Sequence, residues 1–302
     1  MKIAIITGGW SGEREISLNS AKSMLEAIKH LNKYDVCVID FQKNLQQFVN
    51  DLKIAKPDVA LLAIHGVGAE DGVLQGILEI AGIPYTSSSV TASAISMDKI
   101  FTRIITEKIG IQGPKWKALP IDELRKNGEN FAFPYVIKPR NEGSSIGVSI
   151  IYNQKDLEKA LDAWTFGNKV LLEEYIKGKE IQVAIICGKA IGTLEVQPDA
   201  EFFNYHAKYT DGITKHIFPA QIPDDINNLI LKQSEQIFSI LECSGIARTE
   251  FIYGEDSKVY FLEINTQPGM TSLSIVPDIA KNFDISYIEI IEKMIEAAIL
   301  IN

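Results

Sequence analysis

Basic residues are scarce and histidines scarcer. The 302 residues include 30 lysines and arginines against 39 aspartates and glutamates, and only four histidines, for a net charge of −9. Such a balance argues against nucleic acid as a partner, although a single small polyanion needs only a local cluster of cations. Cysteine is equally thin: Cys37, Cys187 and Cys243 are odd in number and lack CxxC spacing, so there is no disulfide framework to read. Cys37 and Cys187 lie in apolar runs and read as small buried hydrophobes. No run of about 18 apolar residues is present, so no membrane partner is expected. There is no signal-peptide pattern either, and the opening MKIAIIT runs straight into a strand; a reduced, cytoplasmic protein is the expectation. A GxGxxG after the first strand is missing, and so is the P-loop spacing GxxxxGK[ST]. Repeats, low-complexity tracts and heptads are absent.

What is present begins as an alternation of strand and helix. Residues 2–7, 35–40 and 58–64 read as buried strands and 17–31 as an amphipathic helix, each ending at a turn signal. That rhythm predicts a parallel, doubly wound sheet whose ligands gather at the carboxyl ends of its strands. Two glycine-bearing loops fall at such ends, GGWSGEREIS (8–17) and HGVGAEDG (65–72). Taken singly, Glu13 and Glu70 read best as carboxylates complementing helix dipoles. His65 reads equally as a hydrogen-bonded loop residue or a functional one. Residues 82–85 resemble a short strand and 89–109 one helix with Asp98 and Lys99 at its centre. The pattern changes near Gly113-Pro114. Residues 133–148 read as strand, glycine-serine turn and strand, with Lys138 ending the first strand and Gly143-Ser144-Ser145 in the turn. Small residues rich in N–H and hydroxyl donors beside a lysine suit phosphates; an ordinary hairpin with a snorkelling lysine reads as well. A helix (154–166) and strands (169–174, 180–187, 190–196) follow. Residues 197–215 are polar and aromatic without periodicity, which predicts a functional loop such as a lid. A helix (224–241), two strands and a terminal helix (286–300) complete the chain.

Those two strands carry the strongest chemical pattern. Alternation puts Arg248 and Glu250 on one face of the first, and Glu263 and Asn265 on one face of the second, with Leu262 and Ile264 opposite. Paired, they make one polar patch on an apolar sheet, which suits a hard, oxygen-preferring ion such as Mg²⁺. A solvated face with a surface Arg248–Glu250 pair accounts for the residues equally well, and the Gly/Pro/Thr-rich loop after Asn265 tilts the reading towards a site.

Taken together, the motifs GGWSGEREISL (8–18), HGVGAEDGVLQG (65–76), SAISMDK (93–99), VIKPRNEGSSIGV (136–148), AKY (207–209), GIARTEF (245–251) and EINTQPGMTSLS (263–274) resemble the D-alanine–D-alanine ligases of the ATP-grasp superfamily. The resemblance spans essentially the whole chain in order and spacing. It implies an α/β ATP-grasp fold: an N-terminal doubly wound parallel-sheet domain (1–87), a small central α+β subdomain (88–176) and a C-terminal α+β domain with lid and metal site (177–302). It also implies a homodimer, ATP as co-substrate and two Mg²⁺ ions, with Mn²⁺ able to substitute. The reaction implied joins two D-alanines for peptidoglycan synthesis through a D-alanyl phosphate and a tetrahedral intermediate.

Carried over residue by residue, the resemblance makes Glu250, Glu263 and Asn265 the metal ligands. Lys99 and Lys138 become phosphate contacts, Lys208 the neighbour of the γ-phosphate, and Ser144 and Ser145 the turn over the phosphates. Glu173, Glu174 and Ile176 line the adenine pocket and Glu180 holds the ribose. Glu13 holds the ammonium of the first D-alanine with His65 nearby; Arg248 and the Gly269 N–H stabilise the oxyanion; Ser274 takes the second D-alanine's carboxylate. Glu13, Ser144 and Tyr209 together lock the lid, and Glu70 is left without a role. One departure stands out, since Glu250 occupies a position where the family usually has aspartate, one methylene shorter. Three rivals are another carboxylate–amine ligase on this scaffold, a D-alanyl-D-lactate ligase, and a non-catalytic ATP-binding module. The first is disfavoured by Glu13, Tyr209 and Ser274 all being in place, the second by Tyr209, and the third by the intact metal, arginine and lysine set.

Overall fold

The computed structural model describes residues 1–128, 131–198, 214–271 and 274–301. Three short apolar runs, β1 (Lys2–Gly8), β2 (Asp35–Phe41) and β3 (Val59–Leu62), form a parallel sheet in the order β2-β1-β3. Ile3, Ala4, Ile5 and Ile6 are all fully buried, as a strand covered on both faces requires, so β1 has no polar alternation. Around the sheet lie α1 (Arg14–Leu31), which starts a turn earlier than its apolar pattern suggests, α2 (Leu45–Ala55) and α3 (Val73–Ile80). The strand expected at 82–85 amounts to one parallel bridge between Ala60 and Tyr85. The helix expected over 89–109 is two, α4 (Val90–Met97) and α5 (Lys99–Lys108). Asp98 leaves helical geometry between them, and its carboxylate accepts from the N–H groups of Ile100 and Phe101 at 3.1 and 3.2 Å. A capping side chain that satisfies orphan donors ends one helix and starts the next.

The second sheet is antiparallel, in the order β4-β7-β5-β6, from β4 (Trp116–Pro120), β5 (Tyr135–Pro139), β6 (Ser149–Ile151) and β7 (Lys169–Glu174). With α6 (Ile121–Asn127) and α7 (Gln154–Asp162) it closes a core of its own around Tyr135, Ile137, Leu157 and Leu172. The third sheet is also antiparallel. Its order is β10-β9-β8-β11-β12, from β8 (Gly178–Ile186), β9 (Lys189–Pro198), β10 (Thr214–Ile217), β11 (Ile246–Gly254) and β12 (Val259–Asn265), backed by α8 (Asp224–Ile240). Cys187 sits in the β8–β9 turn at φ +48 and is exposed, and Cys37 is half-buried. Neither is the buried hydrophobe that its apolar neighbours suggest, because the turn and the edge strand β2 lift them out of the core.

Two further helices, α9 (Ile275–Lys281) and α10 (Tyr287–Ile301), tie the ends of the fold together. Ile3, Ile5 and Leu61 of the first sheet, Met24 of α1, Leu194 and Val196 of the third sheet and Val276, Ile291 and Ile295 of the last two helices share one core. The first and third sheets are thereby fixed to each other, while the second stands on a separate core. Between the second and third sheets runs a cleft of about 420 Å³. No helix among the described residues is long and apolar enough to cross a membrane.

Candidate active site

The floor of the cleft is made by β11 and β12. In their register Arg248 lies opposite Asn265, and Glu250 opposite Glu263, so the expected polar patch forms. It is no solvated face: Glu250 is 4% exposed and bonded to the Arg248 guanidinium. A bulge follows at once, with Phe251 opposite Phe261, and it adds Leu262 to β12. Simple alternation puts Leu262 away from Glu263; the bulge turns both towards the cleft, which both line. Lys99 neutralises Glu263 at 3.2 Å, and Asn265 Oδ1 accepts from the Gln267 N–H at 2.7 Å. Among the described residues no three His, Cys, Asp or Glu side chains gather for a metal. Two facing carboxylates and an amide oxygen fit an ion that takes its remaining oxygens from phosphates and water, as Mg²⁺ does.

The opposite wall carries buried cations. Lys138, at the end of β5, is 7% exposed and sits 2.7 Å from Glu173 Oε2 on β7. Arg103 of α5 bonds the other oxygen, Glu173 Oε1, at 2.9 Å. Burial acts against the Glu173 charge, yet these two cations hold its carboxyl below the usual range. Burial first, then the nearby Arg103 and Lys99, pushes the Lys138 ammonium down against the pull of Glu173. The carboxylate of Glu173 is thus occupied on both oxygens by cations. Glu174, Ile176 and Glu180 line the same cleft, and Gln182 Nε2 donates to Glu180 Oε1 at 2.9 Å. Above the cations, Ser144 and Ser145 both adopt left-handed backbone, at φ +51 and +57. Neither is glycine, and two such residues in succession mark a strained turn.

A smaller recess opens from the cleft past Lys99, Glu142 and Glu263 towards the first sheet. Glu13, the residue before α1, is buried and accepts from Ser144 Oγ. Gly66, at φ +85, leaves the room it occupies, since a Cβ there falls 2.8 Å from Glu13 Oε2. His65 Nδ1 lies 3.1 Å from the Gln267 carbonyl, which only accepts, so Nδ1 carries a proton. The same nitrogen lies 3.3 Å from Glu70 Oε1, and Nε2 lies 3.2 Å from Ser20 Oγ. Burial lowers the imidazole's proton affinity, but Glu70, Glu13 and the Gln267 carbonyl outweigh it and leave it raised. Glu70 therefore serves His65 rather than a helix end; Asp71 meets the helix instead, accepting from Val73 N–H at 3.2 Å. Farther along the loop after β12, Ser274 Oγ accepts from the Thr271 N–H at 2.9 Å, and a Cβ on Gly269 falls 3.1 Å from it. Gly269 and Ser274 are thus neighbours. Lys208 and Tyr209 fall outside the described residues.

Sequence reasoning misses Arg103, Leu262 and the role of Glu70. Arg103 looks like one more polar residue of an amphipathic helix, and no local signal separates it. Leu262 depends on a bulge that only strand pairing reveals.

Two antiparallel sheets that grip a cleft with cations on one wall and carboxylates on its floor define an ATP-grasp fold. Residues 105–296 match the family described as D-ala D-ala ligase C-terminus. A D-alanine–D-alanine ligase of Wolbachia pipientis wMel is 44% identical over 281 residues, which cover 92% of this chain and 88% of that protein. The crystal structure of D-alanine–D-alanine ligase from Bacillus anthracis complexed with ATP superposes with a TM-score of 0.84 at 31% identity, covering 100% of this chain and 98% of that one. VanG D-Ala:D-Ser ligase from Enterococcus faecalis gives 0.83 at 28% identity, covering 98% and 99%. The chain belongs to the D-alanine–D-alanine ligase family.

Proposed function

We propose that this enzyme joins two D-alanines into D-alanyl-D-alanine with ATP, releasing ADP and phosphate. The observation that carries the reading is the β11–β12 register, which sets Glu250 against Glu263 and Arg248 against Asn265 beside Lys99. The adenine ring takes the cleft between Glu174, Ile176 and the backbone of Glu173, and Glu180 receives the ribose hydroxyls. Lys99 and Lys138 meet the phosphates, Lys208 sits beside the γ-phosphate, and the 143–147 turn with Ser144 and Ser145 covers them. To do so Lys99 exchanges Glu263 for a phosphate oxygen. Glu250, Glu263 and Asn265 hold Mg²⁺, which when bound neutralises charge on the transferring phosphoryl group. Glutamate at 250 reaches the ion from one methylene farther than the usual aspartate.

Glu13, with His65 nearby, holds the ammonium of the first D-alanine. The carboxylate of that D-alanine attacks the γ-phosphorus, the bond to ADP breaks, and a D-alanyl phosphate forms. The amine of the second D-alanine, whose carboxylate is held by Ser274, then attacks the carbonyl carbon. Arg248 and the Gly269 N–H stabilise the resulting oxyanion. The second D-alanine's ammonium loses one proton before the attack and its nitrogen a second afterwards, both to solvent or phosphate, and phosphate leaves as the carbonyl re-forms to give the amide N–H. Tyr209, with Glu13 and Ser144, closes the lid and keeps water from the acyl phosphate. We further assign three parts (1–87, 88–176, 177–302), a homodimer and a cytoplasmic setting, on family grounds.

The test is phosphate release from ATP and Mg²⁺ with D-alanine against L-alanine, with product mass measured and D-serine and D-lactate offered as rival acceptors. D-alanine-dependent release that yields the dipeptide is expected. Nucleotide binding without turnover, in this chain and in Glu250→Asp, would sink the proposal in favour of a binding module.

A further inference from the structure

Behind the cleft wall lies a group that the ligation scheme leaves unused. Arg103 is 2% exposed, and its guanidinium spans three elements. One end bonds Glu173 Oε1 on β7 at 2.9 Å. It also donates to the carbonyl oxygens of Phe261 and of Leu262, the latter at 3.4 Å, at the bulge of β12. The Phe261 ring lies 5.7 Å from the guanidinium carbon. Gly113 is packed so closely that a Cβ there overlaps the guanidinium. The site is built around this arginine.

The charges explain why. Glu173 is 3% exposed and shared between Arg103 and Lys138. With Lys138 alone it would form a neutral pair and leave the wall no surplus charge for an anion. With Arg103 on the other oxygen, the three groups carry one net positive charge in a poorly screened setting. Lys138 and Glu173 both line the cleft and Arg103 does not, so Arg103 takes up part of the Glu173 charge from behind and leaves the Lys138 ammonium facing the cleft. The same guanidinium fixes the bulge that brings Leu262 and Glu263 to the floor.

We propose that Arg103 is the positioning residue of the nucleotide site: by taking up the Glu173 carboxylate from behind, it frees the Lys138 charge for the phosphates. This rests on the ATP reading given above. It separates two parts of the nucleotide, since adenosine feels the pocket shape while ADP and ATP also feel the charge.

The experiment measures binding of adenosine, ADP and ATP to the intact enzyme by calorimetry, with circular dichroism to confirm folding. Arg103→Met is expected to weaken ATP and ADP by about tenfold or more, the equivalent of roughly 1.4 kcal/mol, with a much smaller change for adenosine. Removing the carboxylate as well, in Arg103→Met/Glu173→Gln, restores the surplus charge and avoids an unbalanced buried ion. That double variant is expected to recover most of the lost ATP affinity. Arg103→Lys, which keeps the charge and loses the fork, should retain phosphate discrimination better than Arg103→Met. Equal weakening of adenosine and ATP, or no recovery in the double variant, would overturn the proposal. Failure of the unmodified enzyme to bind ATP would instead strike the reading on which it rests.

Discussion

At the scale of single residues, the His65–Glu70 pair makes a pH-dependent contribution that can be worked out in sign. The imidazole is raised above its ordinary value of 6.5 in the fold. Its charged form therefore stabilises the protein fully below that value, and the contribution is lost as pH climbs through the elevated folded value. Glu70→Gln removes the nearest anion, so the His65 titration should move down and stability below pH 6.5 should fall more than stability in alkali. Ring resonances followed by NMR and melts at both pH extremes would check this; an unmoved titration would count against the pairing. Local sequence could not have assigned Glu70 this task. Its partner is only five residues away, but the Gln267 carbonyl that fixes the proton on Nδ1 comes from 202 residues downstream.

At the scale of elements, the 143–147 turn is held by what surrounds it. Gly147 sits at φ +74, and a Cβ there would lie 2.5 Å from Phe166 and 2.6 Å from Pro139. Gly147→Val should push the turn out of place, at a cost of about 1–3 kcal/mol. It should raise the KM for ATP while the enzyme stays folded; an unchanged KM would separate this turn from the phosphates. How far elements could be read in advance follows from the range of their causes. The β11–β12 patch was legible because Arg248 and Glu250, and Glu263 and Asn265, each stand two residues apart in a strand. The Gly143-Ser144-Ser145 turn was legible from its composition. The bulge at Leu262 was not, because it exists only in the pairing with β11. The break at Asp98 was missed because the apolar pattern runs on through it, while a capping carboxylate interrupts the backbone. Arg103 draws its partners from 70 and 158 residues away, and no window reaches that far.

At the scale of the molecule, the distribution of cores decides what moves with what. The first and third sheets share buried side chains through α1, α9 and α10, whereas the second sheet has its own core. Ile295, fully buried where these parts meet, is a point of leverage. Ile295→Ala should cost about 2–5 kcal/mol. Hydrogen exchange should show the loss in β1, β3 and β9 together and leave β5 and β7 nearly untouched. Equal loss across all three sheets would mean that the second sheet is not an independent unit.

The shared core also sets an order on the making of the chain. Ile290, Ile291, Met294 and Ile295 share a core with Ile3, Ile5 and Leu61 yet lie more than 220 residues farther along the sequence. At about 5–20 residues per second, the ribosome reaches them tens of seconds after β3 has been made. Through that interval this face of the first sheet has α1 against it but lacks the helices not yet translated. β1 and β3 are synthesised well before the helix that completes their core.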